Sequence, residues 1–123
     1  HSTLDDHDRR VAAGGLSPGH LRRVCDAMSA NLSAEVSLAD LAQMVGVSYH
    51  HFCHAFKAST GLPPHQWLIE ARVKRACELL RSTDAPVTEI SAAVGYDDPT
   101  QLARVFRARR GTTPVLYRRA CQT

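Results

Sequence analysis

Two short stretches of this 123-residue chain hold side chains able to act on a partner. The first runs Ser48-Tyr49-His50-His51-Phe52-Cys53-His54-Ala55-Phe56-Lys57, and the second Thr100-Gln101-Leu102-Ala103-Arg104-Val105-Phe106-Arg107. Histidines four residues apart with a cysteine between them have the spacing of metal ligands on a helix, and imidazole and thiolate suit zinc and its neighbours. His50, His54 and Lys57 are equally hydrogen-bond donors, as are Thr100, Arg104 and Arg107, and a row of donors suits the base edges and phosphates of duplex DNA. Catalysis has no comparable footing. The chain offers no paired nucleophile and base, no phosphate-cradling glycine loop and no carboxylate pair in a plausible pocket. Two classes of function remain: a sequence-specific DNA-binding module, or a helical metal-sensing or protein-interaction module built on His50, His51, Cys53 and His54.

Helical geometry separates these classes. At about 100° per residue, His54 and Lys57 fall within about 40° of His50 and Cys53 about 60° away, with Phe52, Ala55 and Phe56 opposite. Measured from Thr100, Arg104 and Arg107 share one stripe, with Ala103 beside it and Leu102, Val105 and Phe106 opposite. Each stretch therefore reads as one amphipathic helix with an inward aromatic face and an outward row of donors.

The elements around these stretches repeat. With Gly46 aligned to Gly95, Leu38, Leu41 and Val45 match Val87, Ile90 and Val94. Downstream, Phe52, Phe56, Gly61, Pro64 and Trp67 match Leu102, Phe106, Gly111, Pro114 and Tyr117, with one extra residue in the second turn. A unit of roughly 50 residues thus occurs twice, and each copy reads as a helix-turn-helix whose glycine permits the sharp turn. The two polar stripes occupy the same register of the repeat. Ser17-Pro18, Ser37, Ser48 and Asp98-Pro99 read as helix starts, and Gly61 and Gly111 as stops. A longer helix from Pro64 to about Ser82, roughly 28 Å at 1.5 Å per residue, joins the copies. Half-sites one helical turn apart on DNA are about 34 Å from one another. The expected fold is all-α, with about seven helices forming two helix-turn-helix subdomains joined by a long linker helix. Residues 1–16, rich in charge and ending Ala-Ala-Gly-Gly-Leu, read as a flexible linker or arm. Residues 17–123 read as the double helix-turn-helix domain, with a first unit at about 17–62, the linker helix at about 64–82 and a second unit at about 86–119.

Charge points to a polyanion. Beyond Pro99 lie six arginines (Arg104, Arg107, Arg109, Arg110, Arg118 and Arg119) and no acid, whereas the first 98 residues carry a net charge of −3. A basic end on a balanced body fits nucleic acid. No apolar run approaches the roughly 20 residues that span a bilayer, and the polar first residues do not read as a signal peptide. Cys25, Cys53, Cys77 and Cys121 include no Cys-x-x-Cys pair and are expected as free thiols in a reducing cytoplasm. The first residue is His rather than Met, so the chain is expected to be a processed or excised piece, or to carry a tag remnant. Trp67 and Tyr117 are expected in the core, and Arg72 and Arg75 on the surface or in ion pairs.

Segments Ser37–Ala42, Gly46-Val47-Ser48, Thr60-Gly61-Leu62-Pro63-Pro64, Ile90 to Tyr96 and Gly111-Thr112-Thr113-Pro114 with Tyr117-Arg118-Arg119 resemble the DNA-binding domain of the AraC/XylS family of bacterial transcription regulators. The resemblance spans about Ser17 to Arg119. It implies a monomeric unit whose two recognition helices enter adjacent major-groove segments of double-stranded DNA. No cofactor or metal is expected. It also implies a separate sensing or dimerising domain preceding Leu16, and contact with RNA polymerase in an activator. Where the family often carries arginine or another strong donor, this chain has His54, and Cys53 stands where glutamine or similar is common. With the stripes read as DNA-facing, His50, Cys53, His54, Thr100, Gln101 and Arg104 are expected at the bases, and Ser48, Tyr49, Lys57, Arg107 and Arg110 at phosphates.

Overall fold

The computed structural model describes residues 15–30, 32 and 37–122. Among them every regular element is a helix: α1 (Pro18–Ala30), α2 (Leu38–Met44), α3 (Tyr49–Thr60), α4 (Pro64–Ser82), α5 (Val87–Ala93), α6 (Pro99–Arg110) and α7 (Pro114–Cys121). The all-α architecture with seven helices agrees with the sequence reading. The helices gather into two compact units. One holds α1 to α3 and the start of α4 as far as Trp67; the other holds Leu32 and, from Leu68 onward, the rest of α4 with α5 to α7. The helix expected as a spacer is therefore shared: its first turn belongs to the first unit, and Val73, Ala76, Cys77 and Leu80 are core residues of the second.

Local chemistry fixes the helix ends. The hydroxyls of Ser37, Ser48 and Thr113 accept from the backbone N–H three residues on, each at 3.2 Å, and the Asp98 carboxylate accepts from Thr100 N–H at 2.9 Å. Each bond satisfies a donor that a helix start leaves open. Pro86, in the cap position ahead of α5, supplies no such side-chain bond.

The two helix-turn-helix turns are built alike. Gly46 N–H donates to Gln43 O and Val47 N–H to Ala42 O; Gly95 N–H donates to Ala92 O and Tyr96 N–H to Ser91 O. This paired arrangement closes a helix through a left-handed residue. In the second copy the Ser91 hydroxyl, fully buried, also donates to Tyr96 O at 2.8 Å.

Each unit buries its own core. In the first, Leu16, Val24, Met28, Leu41, Ala42, Val45, Phe52, Ala55 and Phe56 are buried. Leu16 belongs to this core although it closes the segment expected to be a flexible arm, and its N–H donates to Ser59 Oγ at 2.8 Å. It directly precedes the cap Ser17, whose hydroxyl accepts from His20 N–H, and so occupies the position of a hydrophobic staple. Residues 1–14 of that arm lie outside the described residues. In the second unit Ile90, Val94, Tyr96, Leu102 and Phe106 complete the core. The repeat survives as geometry. Trp67 meets Phe56 edge-on at 6.0 Å, and Tyr117 meets Phe106 edge-on at 5.5 Å.

Candidate nucleic-acid interface

In α3, Phe52, Ala55 and Phe56 are buried, which forces the opposite face outward. Tyr49, His50, His51, His54 and Lys57 are exposed and Cys53 is half-buried. The imidazoles of His50 and His54 touch edge-on with centroids 4.5 Å apart, as residues one turn apart do. Lys57 continues the row. Ser48, at the cap, is exposed, with its oxygen engaged by His51 N–H. The Cys53 thiol beside Tyr49 pushes the Tyr49 hydroxyl above its ordinary value, so that it remains an O–H donor. No acid lies on this helix.

In α6, Leu102 and Phe106 are buried, and Thr100, Gln101, Arg104 and Arg107 are exposed, with Ala103 half-buried between them. Neither Arg104 nor Arg107 has an ion-pair partner among the described residues. The chemistry of the two outward rows differs. The first presents imidazoles and one ammonium, the second two guanidiniums with their forked donors. The cap differs too, since α6 begins on the carboxylate of Asp98 where α3 begins on the hydroxyl of Ser48.

Arg110, expected at a phosphate, is engaged within its own unit. Its Nη2 donates to Glu70 Oε2 at 2.7 Å and its Nη1 to Glu70 Oε1 at 3.2 Å, a two-pronged ion pair that commits the guanidinium within the unit. Arg109 Nη1 lies 3.6 Å from the same carboxylate. Arg110 holds the Glu70 carboxyl below the usual carboxylate range, and Glu70 in turn raises Arg110. Arg118 is engaged as well: its Nε donates to Leu80 O at 3.2 Å and its Nη2 to Thr83 O at 3.1 Å, closing open carbonyls at the end of α4. Half of the basic C-terminal end is thus turned inward. Composition could not reveal this, because each partner lies 35 to 40 residues away. Glu70 had one legible trait: no other acid stands between Asp40 and Glu78.

The surface role expected of Arg72 and Arg75 holds for Arg75, which is exposed and lies 4.0 Å from Glu78. Arg72 is half-buried, with its guanidinium carbon 5.2 Å from the centre of the Tyr96 ring. It lies against Gly95, at φ 105°. A Cβ there would overlap the Leu32 carbonyl and come within 2.9 Å of Arg72 Nε. Only glycine fits that turn.

The rival metal reading gains no geometry. Among the described residues no group of three or more His, Cys, Asp or Glu side chains gathers to hold an ion. No helix among them is long and apolar enough to cross a membrane.

Comparison with known proteins agrees with this arrangement. The helix-turn-helix domain family matches residues 41–120. The chain is 37% identical over 91 residues to the MmsAB operon regulatory protein of Pseudomonas aeruginosa, covering 74% of this chain and 30% of that protein. In structure it is similar to the DNA-binding domain of AdpA, solved in complex with a target DNA: TM-score 0.76, 33% identity, covering 81% of this chain and 90% of that one. It is also similar to a transcriptional regulator of the AraC-type from Chromobacterium violaceum, with TM-score 0.79 and 28% identity, covering 85% and 94% of the two chains. The chain spans 30% of the length of the first curated relatives that it matches.

Proposed function

The chain belongs to the AraC-type helix-turn-helix family of DNA-binding regulators, and from that premise we infer that it is the sequence-specific DNA-reading part of a transcription regulator, with α3 and α6 as recognition helices in adjacent major-groove segments. One observation carries this reading. Two helices in the same register of a repeat bury their aromatic faces and leave outward rows of donors, with no acid between Pro99 and Arg110. His50, Cys53 and His54 on α3, and Thr100, Gln101 and Arg104 on α6, meet base edges. Ser48, Tyr49, Lys57 and Arg107 meet phosphates and set the register. Arg110 is left out of this set because Glu70 holds it.

The whole regulator carries a sensing or dimerising domain ahead of these units and acts in the cytoplasm at the nucleoid. As an activator it would also meet RNA polymerase. The reading of this chain itself is tested by selecting bound sites from a pool of random duplexes, then measuring affinity for the winner and for a scrambled duplex across a salt range. We expect an enriched site and a preference of about 10³-fold or more over the scramble. Equal affinity for both duplexes, or no enrichment, would overturn it.

A further inference from the structure

We propose that Glu70 restrains the DNA-backbone affinity of the second unit: its carboxylate occupies the guanidinium of Arg110 and so keeps a phosphate contact from forming. The inference rests on the DNA-binding reading given above and adds a residue that never touches DNA.

The geometry is that of a competitor. A carboxylate and a phosphate offer a guanidinium the same pair of acceptor oxygens. Glu70 supplies both, at 2.7 and 3.2 Å, from α4 of the same unit. The pair is partly shielded, with 28% of the Arg110 and 36% of the Glu70 side chain exposed, so that water screens it less than an open surface pair. Around α6, Arg110 stands about 60° from Arg107, on the flank of the outward row, whereas Arg109 stands about 160° from Arg107, on the far side. Of the two arginines beside Glu70, Arg110 is therefore the one that reaches a phosphate when released. A contact of this kind adds affinity to every sequence alike. Holding it back leaves fewer molecules on the many nonspecific sites of a genome.

The test compares wild type, Glu70→Gln, Arg110→Gln and the double variant on a scrambled duplex and on the selected site, from about 50 to 300 mM salt. Circular dichroism confirms that each variant is folded. Glu70→Gln is expected to bind the scrambled duplex roughly three- to tenfold more tightly at low salt and to steepen the slope of log affinity against log salt by about one. The double variant should return to the wild-type slope, and Arg110→Gln alone should keep it. A Glu70→Gln protein that is folded but has an unchanged slope overturns the proposal. So does an Arg110→Gln protein whose slope flattens by about one, since Arg110 would then already touch phosphate. The second outcome decides the matter even if Glu70→Gln does not fold. Absence of any preference for the selected site in wild type would instead sink the DNA-reading premise, a distinguishable failure.

Discussion

The two helix-turn-helix units share a backbone plan and differ in almost everything placed upon it. Both close their turn through a left-handed glycine, cap the second helix with a side-chain oxygen, and seat an aromatic ring edge-on against a buried phenylalanine. Their outward rows do not correspond chemically: His50, His54 and Lys57 against Thr100, Arg104 and Arg107. Their turns also differ in surroundings. A Cβ on Gly46 would meet open space, whereas one on Gly95 would strike the Leu32 carbonyl and the Arg72 guanidinium. The repeated features are those a helix pair needs in order to fold, and the divergent ones face outward or towards a neighbouring segment. Duplication thus fixes the scaffold and leaves the two outward faces to specialise, with guanidiniums concentrated in the second.

The largest expected difference lies in the turns. Gly46→Ala should cost about 1–2 kcal/mol, the price of a left-handed alanine. Gly95→Ala should cost about 3 kcal/mol or more, because overpacking adds to the backbone strain. Denaturant unfolding of both variants checks this, and equal losses would mean that the contacts at Gly95 yield freely.

Next comes base reading. Arg104→Ala should lose about 1–3 kcal/mol on the selected site and relax one base position, since arginine can engage guanine through two bonds. A uniform loss across all duplexes would assign Arg104 to the backbone instead. For the phosphate contacts, Arg107→Ala and Lys57→Ala should each flatten the salt slope by roughly one unit. A change at one of them alone would show that only one unit grips the backbone in this way.

The smallest effect belongs to the Glu70–Arg110 pair. The folded state holds the Glu70 carboxyl below its ordinary range. The pair therefore stabilises the protein above the unfolded-state value and loses that contribution as pH falls through the folded one. With the carboxylate about a third exposed, roughly 0.5 kcal/mol is expected. Melts of wild type and Glu70→Gln should differ near pH 6 and converge in acid below about pH 4. A gap that persists there would assign the difference to packing.

What was legible in the sequence follows from the range of the forces involved. Caps, turns and inward faces are set within a few residues, so Ser48, Asp98, Gly95 and the buried phenylalanines could be placed from spacing alone. Arg110 could not, because its partner comes from another helix 40 residues away. The inner face of α4 was legible in its second half, where Val73, Ala76, Cys77 and Leu80 stand at i, i+3, i+4 and i+7, but not in its first turns, where Trp67, Leu68, Ile69 and Ala71 put apolar groups on several sides. Leu16 was hidden by the glycines before it, although a leucine directly ahead of a serine cap is itself a signal. The burial of Ser91 carries no local signal, because its acceptor is a backbone carbonyl that only the folded turn brings near.

The edge-on contact of Trp67 with Phe56 has a spectroscopic consequence. Trp67 is the one tryptophan in the chain, and it closes the first unit. Indole emission therefore reports on that unit alone, while far-ultraviolet dichroism sums the helices of both. Followed side by side through a denaturant titration, the two signals distinguish a chain that melts in one step from one whose halves let go separately. No label need be attached to tell them apart.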